Sequence, residues 1–280
     1  MTSTPASVTL CADDYGLAPG VGLAIRDLIG RGRLHATGCM TGSPHWPAEA
    51  ALLKPLDGVA DIGIHLTLTD QRPLGPMPRL APAGRCPSPG RLIVAAHAGR
   101  LDPAEIAAEL ERQCDAFEGA FGRPPDFLDG HHHVHQLPVV RDAVLDLWRR
   151  RMGGRGWVRS CWEPPAVILA RGVDGLRALV ISELGRRLRR RMEAAGIRHN
   201  RSFRGVYDLS DREPYGDLFR AFTDAPGPAT LVMCHPGLVD AALCAADRVT
   251  ARREAEYRFL ASDDCARSLG ERGIRLARLP

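Results

Sequence analysis

The chain has 280 residues, 45% hydrophobic and 25% charged, with a net charge of +4. That length suits one α/β barrel with a sizeable core, the composition excludes wholesale disorder, and so small a charge does not mark a nucleic-acid binder. Eight cysteines form no C-x-x-C pair, Met1 to Val8 has neither a basic nor an apolar leader segment, and no apolar run reaches membrane-spanning length; buried reduced thiols and a cytoplasmic location are the expectation.

The apolar run Val8 to Ala12 predicts a buried strand ending at Asp13-Asp14. Pro19 then opens a helical pattern with Val21, Ile25, Leu28 and Ile29 on one face. Ile62 to Ile64 predicts a strand ending at His65. Alternation puts Ile62, Ile64, Leu66 and Leu68 on one side and His65 on the other. Residues 72–100 begin with a Pro-, Gly- and Arg-rich stretch without a clear period, and are predicted as a long loop or insertion. Asp102-Pro103 is a cap and first-turn proline for a helix presenting Ile106, Leu110, Phe117 and Phe121.

Phe127-Leu128 predicts a strand ending at Asp129-Gly130-His131, and Val140, Val144, Leu147 and Trp148 predict a further helix. Trp157-Val158 predicts a strand ending at Arg159. A helix over residues 173–195 carries Leu176, Val180, Leu184 and Leu188 on one side and the basic run Arg186 to Arg191. Leu231 to Cys234 predicts a strand ending at His235. No repeat or boundary divides residues 1–280, so a single domain is expected.

Strands alternating with helices predict a mostly parallel α/β sheet with surrounding helices. Active sites in such folds gather at the strands' C-terminal ends. Five runs end at Asp, His, His, Arg and His, which together predict a site. Alone, each is weak: Asp-Asp is common in surface turns, and a buried histidine is more often satisfied than ligating. His131-His132-His133-Val134-His135 is the specific signal, because four imidazoles in five residues are hard to explain by packing. In an extended segment His131, His133 and His135 would share a face. His235, in Met233-Cys234-His235-Pro236-Gly237, sits where a strand meets a sharp turn and is a candidate general acid.

Four ordered motifs carry a family resemblance: Ala12-Asp13-Asp14-Tyr15-Gly16, Gly63-Ile64-His65-Leu66-Thr67-Leu68, Leu128-Asp129-Gly130 running into the histidine cluster, and Cys234-His235-Pro236-Gly237. With a fainter match over Arg159 to Pro164, the chain resembles the YdjC-like (ChbG/HpnK) carbohydrate deacetylases from Val8 to about Gly237. The resemblance implies a distorted TIM-like (β/α) barrel and hydrolysis of an N-acetyl group from an amino sugar. It implies one divalent metal ion, Zn2+ or Mg2+, on Asp14, His65 and His131, with Asp13 as base and His235 as acid. His132 stands where the family often has Gln, which leaves His133 and His135 as alternative ligands or supporting groups. Ser43-Pro44-His45-Trp46 departs from the usual Asn-Gly-Pro-type turn, so substrate contacts near Trp46 are expected to differ. The resemblance also admits a homodimer.

The chemistry stands beside the resemblance. One carboxylate and two imidazoles leave open metal positions for water and a carbonyl oxygen. Arg159 is expected to orient Asp13, and Asp129 to hold a metal histidine's second nitrogen. A lipid-linked or nucleotide-linked sugar remains an alternative substrate. A non-haem iron oxygenase shares the ligand set, and oxygen-independent acetate release would exclude it. A non-catalytic sugar-binding protein is the other rival, opposed by the presence of base, ligands and acid together. The arginine run reads as a solvated helix face, with contact to an anionic membrane surface as the alternative.

Overall fold

The computed structural model describes residues 6–280; Met1–Pro5, part of the N-terminal stretch read above for a leader, lie outside them. Apolar runs form five strands: β1 (Ala6–Tyr15), β3 (Asp61–Leu66), β4 (Phe127–Gly130), β5 (Trp157–Val158) and β7 (Thr230–Cys234). Three short strands complete the sheet: β2 (Ala36–Cys39), β6 (Ser202–Arg204) and β8 (Ile274–Leu276). All pairings are parallel, in the order β5-β4-β3-β2-β1-β7-β6, with β8 beside the start of β1. Short β2 has no apolar run to announce it. Its glycine is a packing requirement, since a Cβ on Gly38 would lie 3.1 Å from the His65 Cβ and 3.2 Å from an Asp129 carboxylate oxygen.

The sheet curls into an incomplete TIM-like barrel. β5 and β6 do not pair, and Asn200 spans the gap: its side chain accepts from the Ser160 amide at 2.8 Å and donates to the Ser160 carbonyl at 2.7 Å. Val158 N–H adds a bond to Arg198 at 3.0 Å. A cap with both donor and acceptor therefore satisfies edge groups that a closing strand would otherwise pair.

Helices enclose the sheet: α1 (Pro19–Gly30), α2 (Trp46–Leu53), α3 (Pro89–His97), α4 (Pro103–Phe121), α5 (Val140–Arg151), α6 (Pro165–Arg171), α7 (Gly175–Ala194), α8 (Tyr215–Phe222), α9 (Ala241–Ala246), α10 (Ala251–Ala261) and α11 (Asp263–Glu271). At α4, Asp102 accepts from the Ala104 amide at 2.9 Å and left-handed Gly122 ends the helix. Ile106, Leu110, Phe117 and Phe121 are buried, each worth about 1.5–3 kcal/mol of apolar transfer. The expected loop at 72–100 is corrected in part: α3 occupies its second half, burying Leu92 and Ala96. Two anchors in nine residues were too few to read as a period.

Candidate active site

Asp13 and Asp14 end β1, and strand alternation would send them to opposite faces. The register of β1 against β2 shifts between Ala12 and Tyr15, and Asp14 takes a left-handed conformation with φ 69. This bulge turns both carboxylates into one cleft. Asp14 Oδ1 lies 2.9 Å from His131 Nδ1 and 3.4 Å from His65 Nε2. Asp13 Oδ2 lies 3.9 Å from His65 Nε2.

Each of these groups is held from behind. His65 Nδ1–H donates to Asp129 Oδ1 at 2.7 Å, which turns Nε2 toward Asp14. Arg159, fully buried, donates to both oxygens of Asp13 at 2.8 and 2.6 Å and reaches Asp129 Oδ2 at 2.6 Å. Its Nη2 also donates to the Cys11 sulfur at 3.0 Å. Arg253 donates to Asp14 Oδ2 at 2.6 Å and to Asp247 at 2.7 Å.

The electrostatics follow from this packing. Burial alone would raise the Asp13 carboxyl, but the Arg159 and His65 charges outweigh it and hold Asp13 well below the usual carboxylate range. Asp14 is likewise lowered: burial opposes, while His131 and Arg253 prevail. Burial disfavours charge on His65, yet Asp129 and Asp13 raise it to about 9. The pocket thus has surplus negative charge around His65 Nε2 and attracts a cation.

A divalent metal fits these residues. Donor atoms of Asp14, His65 and His131 all lie within 4.8 Å of one another, with buried Asp14 Oδ1 facing both imidazoles. Cys11, Asp13 and Asp129 also cluster within 4.8 Å, but the Arg159 guanidinium already binds all three.

The extended reading of the histidine cluster is corrected. Residues His131–Gln136 form a tight 3-10 segment, with His132 and His133 left-handed at φ 51 and 58, so the side chains fan out. His131 alone joins Asp14 and His65. His132 meets Thr69 Oγ1 at 2.8 Å, and His133 lies edge-on to Phe203 and 3.6 Å from the Cys161 sulfur. His135 donates Nε2–H to the Arg159 carbonyl at 3.1 Å. Burial pushes the His135 imidazole down to about 4, so it is neutral.

Trp46 is also corrected as a substrate contact. It is 1% exposed, stacks on Phe117 and donates to the Ala116 carbonyl at 2.9 Å. Its neighbours Ser43, Pro44 and His45 instead line a cavity of about 310 Å³. Leu17, Gln71, Arg85 and Ala246 are common to this cavity and the main cleft of about 790 Å³.

His235 enters the main cleft after β7, with a buried Nδ1 that has no hydrogen-bond partner among the described residues. Its backbone N–H donates to Glu256 Oε2 at 2.6 Å, and fully buried Glu256 also accepts from the Tyr207 hydroxyl. Arg253 and Glu256, one turn apart on α10, therefore brace Asp14 and His235 from one helix. Neither was singled out from sequence. They lie in a charged helix beyond the last motif, and nothing local distinguishes them from solvated residues.

The family described as YdjC-like protein matches residues 7–271. The chain belongs to the YdjC-like family. Curated relatives at this level include a chitooligosaccharide deacetylase of Yersinia pestis (strain Pestoides F), 40% identical over 141 residues, or 50% of this chain and 54% of that protein. The chain thus spans about half the length of the curated relatives it matches. Among solved structures, a candidate cellobiose-phosphate cleavage protein of Enterococcus faecalis V583 superposes with a TM-score of 0.74 at 21% identity, covering 98% of both chains. A family 4 acetyl xylan esterase of Clostridium thermocellum with a cobalt ion has a TM-score of 0.50 at 10% identity, covering 97% of this chain and 87% of that one. These two likenesses establish the fold that this YdjC-like chain shares: a curled parallel sheet ringed by helices.

Proposed function

We propose that this YdjC-like protein is a metal-dependent hydrolase that removes the N-acetyl group from an amino sugar. The carrying observation is the convergence, in one cleft, of arginine-held Asp13, the Asp14–His65–His131 donor set and His235. The chitooligosaccharide deacetylase name of the curated relatives supports the same chemistry. Asp14, His65 and His131 would hold the ion, and two imidazoles favour zinc over magnesium. When bound, a divalent ion there supplies Lewis acidity to the amide carbonyl and acidity to the attacking water. Asp13, kept ionised and oriented by Arg159, accepts the water's proton. His235 delivers a proton to the departing sugar nitrogen, with Glu256 fixing the backbone from which its ring projects. Asp129 holds the His65 tautomer. Eight free cysteines, seven of them buried, favour a reducing cytoplasmic setting.

The test is acetate release from N-acetylated amino sugars, using metal-stripped protein with zinc or magnesium restored. Activity should vanish on stripping and return with the metal, most strongly with zinc. Undiminished acetate release by the stripped protein, or none from any N-acylated sugar with metal restored, would overturn the proposal. A lipid-linked amino sugar is the second reading, favoured by aliphatic Ile93, Leu137, Val180, Ile181 and Leu184 along the cleft.

A further inference from the structure

The hairpin of α6 and α7, residues 165–194, is unusual in both charge and exposure. It holds seven arginines against three carboxylates, an excess equal to the chain's whole net charge of +4. It also holds three of the most exposed aliphatic side chains: Leu169 at 62%, Leu176 at 78% and Val180 at 52%. Single exposed leucines are ordinary, but these adjoin one another: Leu169 lies over Gly175 at the start of α7, and Leu176 and Val180 are one turn apart.

Helical periodicity organises the two features. Ala178, Ser182, Gly185, Leu188 and Met192 form the buried side of α7, so Leu188 faces inward, away from the exposed Leu176 and Val180 with which its spacing grouped it. Leu176, Val180, Arg187 and Arg191 share the outward side, with Arg190 beside them. The outward face is therefore apolar in its first half and basic in its second. The acidic groups within reach are committed: Asp174 to Arg177, Glu183 to Arg186, Glu193 to Arg189, and Asp142 to Arg191. Arg187 and Arg190 have no carboxylate partner among the described residues. Arg189 is the exception to the outward pattern, its guanidinium 4.2 Å above the Trp162 ring.

Position gives this face a use. Arg177, Val180, Ile181 and Leu184 line the cleft that contains Asp13, Asp14 and His235, so the apolar half of α7 forms part of its rim. We propose that the outward face of the α6–α7 hairpin is a docking surface for an anionic lipid bilayer. Leu169 and Leu176 insert among the lipids at their polar boundary, while Arg187 and Arg190 meet the headgroup phosphates. Docking there turns the rim of the cleft toward the bilayer. Among the described residues no helix is long and apolar enough to cross a membrane, and the proposed contact is a peripheral one.

The test needs no turnover, so its outcome is separate from that of the deacetylase proposal. The full chain is sedimented with vesicles of phosphatidylcholine alone, and with vesicles containing one third phosphatidylglycerol, at low and high salt. The wild type should bind the anionic vesicles at low salt and be released by salt. Arg187→Gln/Arg190→Gln should weaken partitioning by roughly thirty-fold, near the effect expected for two surface cations. Leu169→Ser/Leu176→Ser should weaken it by about ten-fold or more. Both variants change exposed side chains outside the cleft lining, and unchanged thermal midpoints would show that they fold. No binding of the wild type, equal binding to neutral vesicles, or loss in only one of the two variants would overturn the proposal. So would conversion of a stable dimer to a monomer by the leucine variant, which would identify the face as a contact between two copies.

Discussion

Replacing Arg159 by methionine tests the electrostatic frame of the site. The side chain is fully buried and bonds Asp13 at 2.8 and 2.6 Å and Asp129 at 2.6 Å. Methionine preserves much of the volume but leaves two carboxylates buried, with His65 as their nearest cation. Breaking a buried pair on one side costs about 3–5 kcal/mol. In a chain of this size that is a fall of roughly 5–9 °C in Tm at neutral pH. The pH dependence has a definite sign. In the wild type the Asp13 carboxyl is depressed, so its stabilising contribution is present above the unfolded carboxylate range and disappears as pH falls through the folded value. In the variant, burial acts without its opposing charge and the folded carboxyl rises. A carboxyl raised in the folded state weakens stability most at neutral pH and ceases to do so once protonated in acid. The gap between wild type and variant should therefore narrow from pH 7 to about pH 4. The assay is thermal and urea unfolding of metal-free protein at several pH values, with Arg159→Lys as a charge-preserving control. A variant within 2 °C of wild type, or a gap that widens in acid, would refute the reasoning.

Asp13→Asn should lower turnover by about 10²–10⁴-fold while calorimetry still shows metal binding at the Asp14 group; full activity would remove Asp13 from its role. Glu256→Gln leaves the Asp14 side untouched but loosens the backbone at His235. We expect kcat to fall by up to roughly 10²-fold with little change in KM or metal affinity, and a pure KM effect would contradict the bracing role. His135 is held neutral, its imidazole pushed down from the ordinary 6.5 to about 4. The unfolded chain binds the extra proton between those values, so stability should rise with pH across that window, by about 3 kcal/mol from this residue. His135→Gln should flatten that part of the stability profile, and an unchanged slope in urea unfolding between pH 4 and 6.5 would exclude His135 as its source.

The strands that position the site were readable because an apolar run ending in an ionisable residue is a local pattern. β1, β3, β4, β5 and β7 announced themselves in this way. β2, β6 and β8 did not, being three or four residues long and dependent on their neighbours for burial. Trp46 was placed near the substrate because its turn departs from the family pattern, whereas stacking on Phe117 of α4 claims the ring. The histidine cluster was legible as a cluster but not as a shape. Left-handed His132 and His133 bend it, and nothing in their residue type requires that conformation.

The linear order of residues determined by itself the α/β class, the C-terminal strand positions of Asp13, Asp14, His65, Arg159 and His235, and the family. All three follow from local periodicity and from motifs only a few residues long. Tertiary structure alone decided which imidazole joins Asp14 and His65, how a bulge brings adjacent carboxylates into one cleft, and that Arg253 and Glu256 brace the site from α10. Those outcomes depend on contacts between Asp14 and Arg253, and between His235 and Glu256, that span up to 239 positions. Burial makes such contacts strong by removing water from both partners, and only the assembled fold determines which partners are buried together.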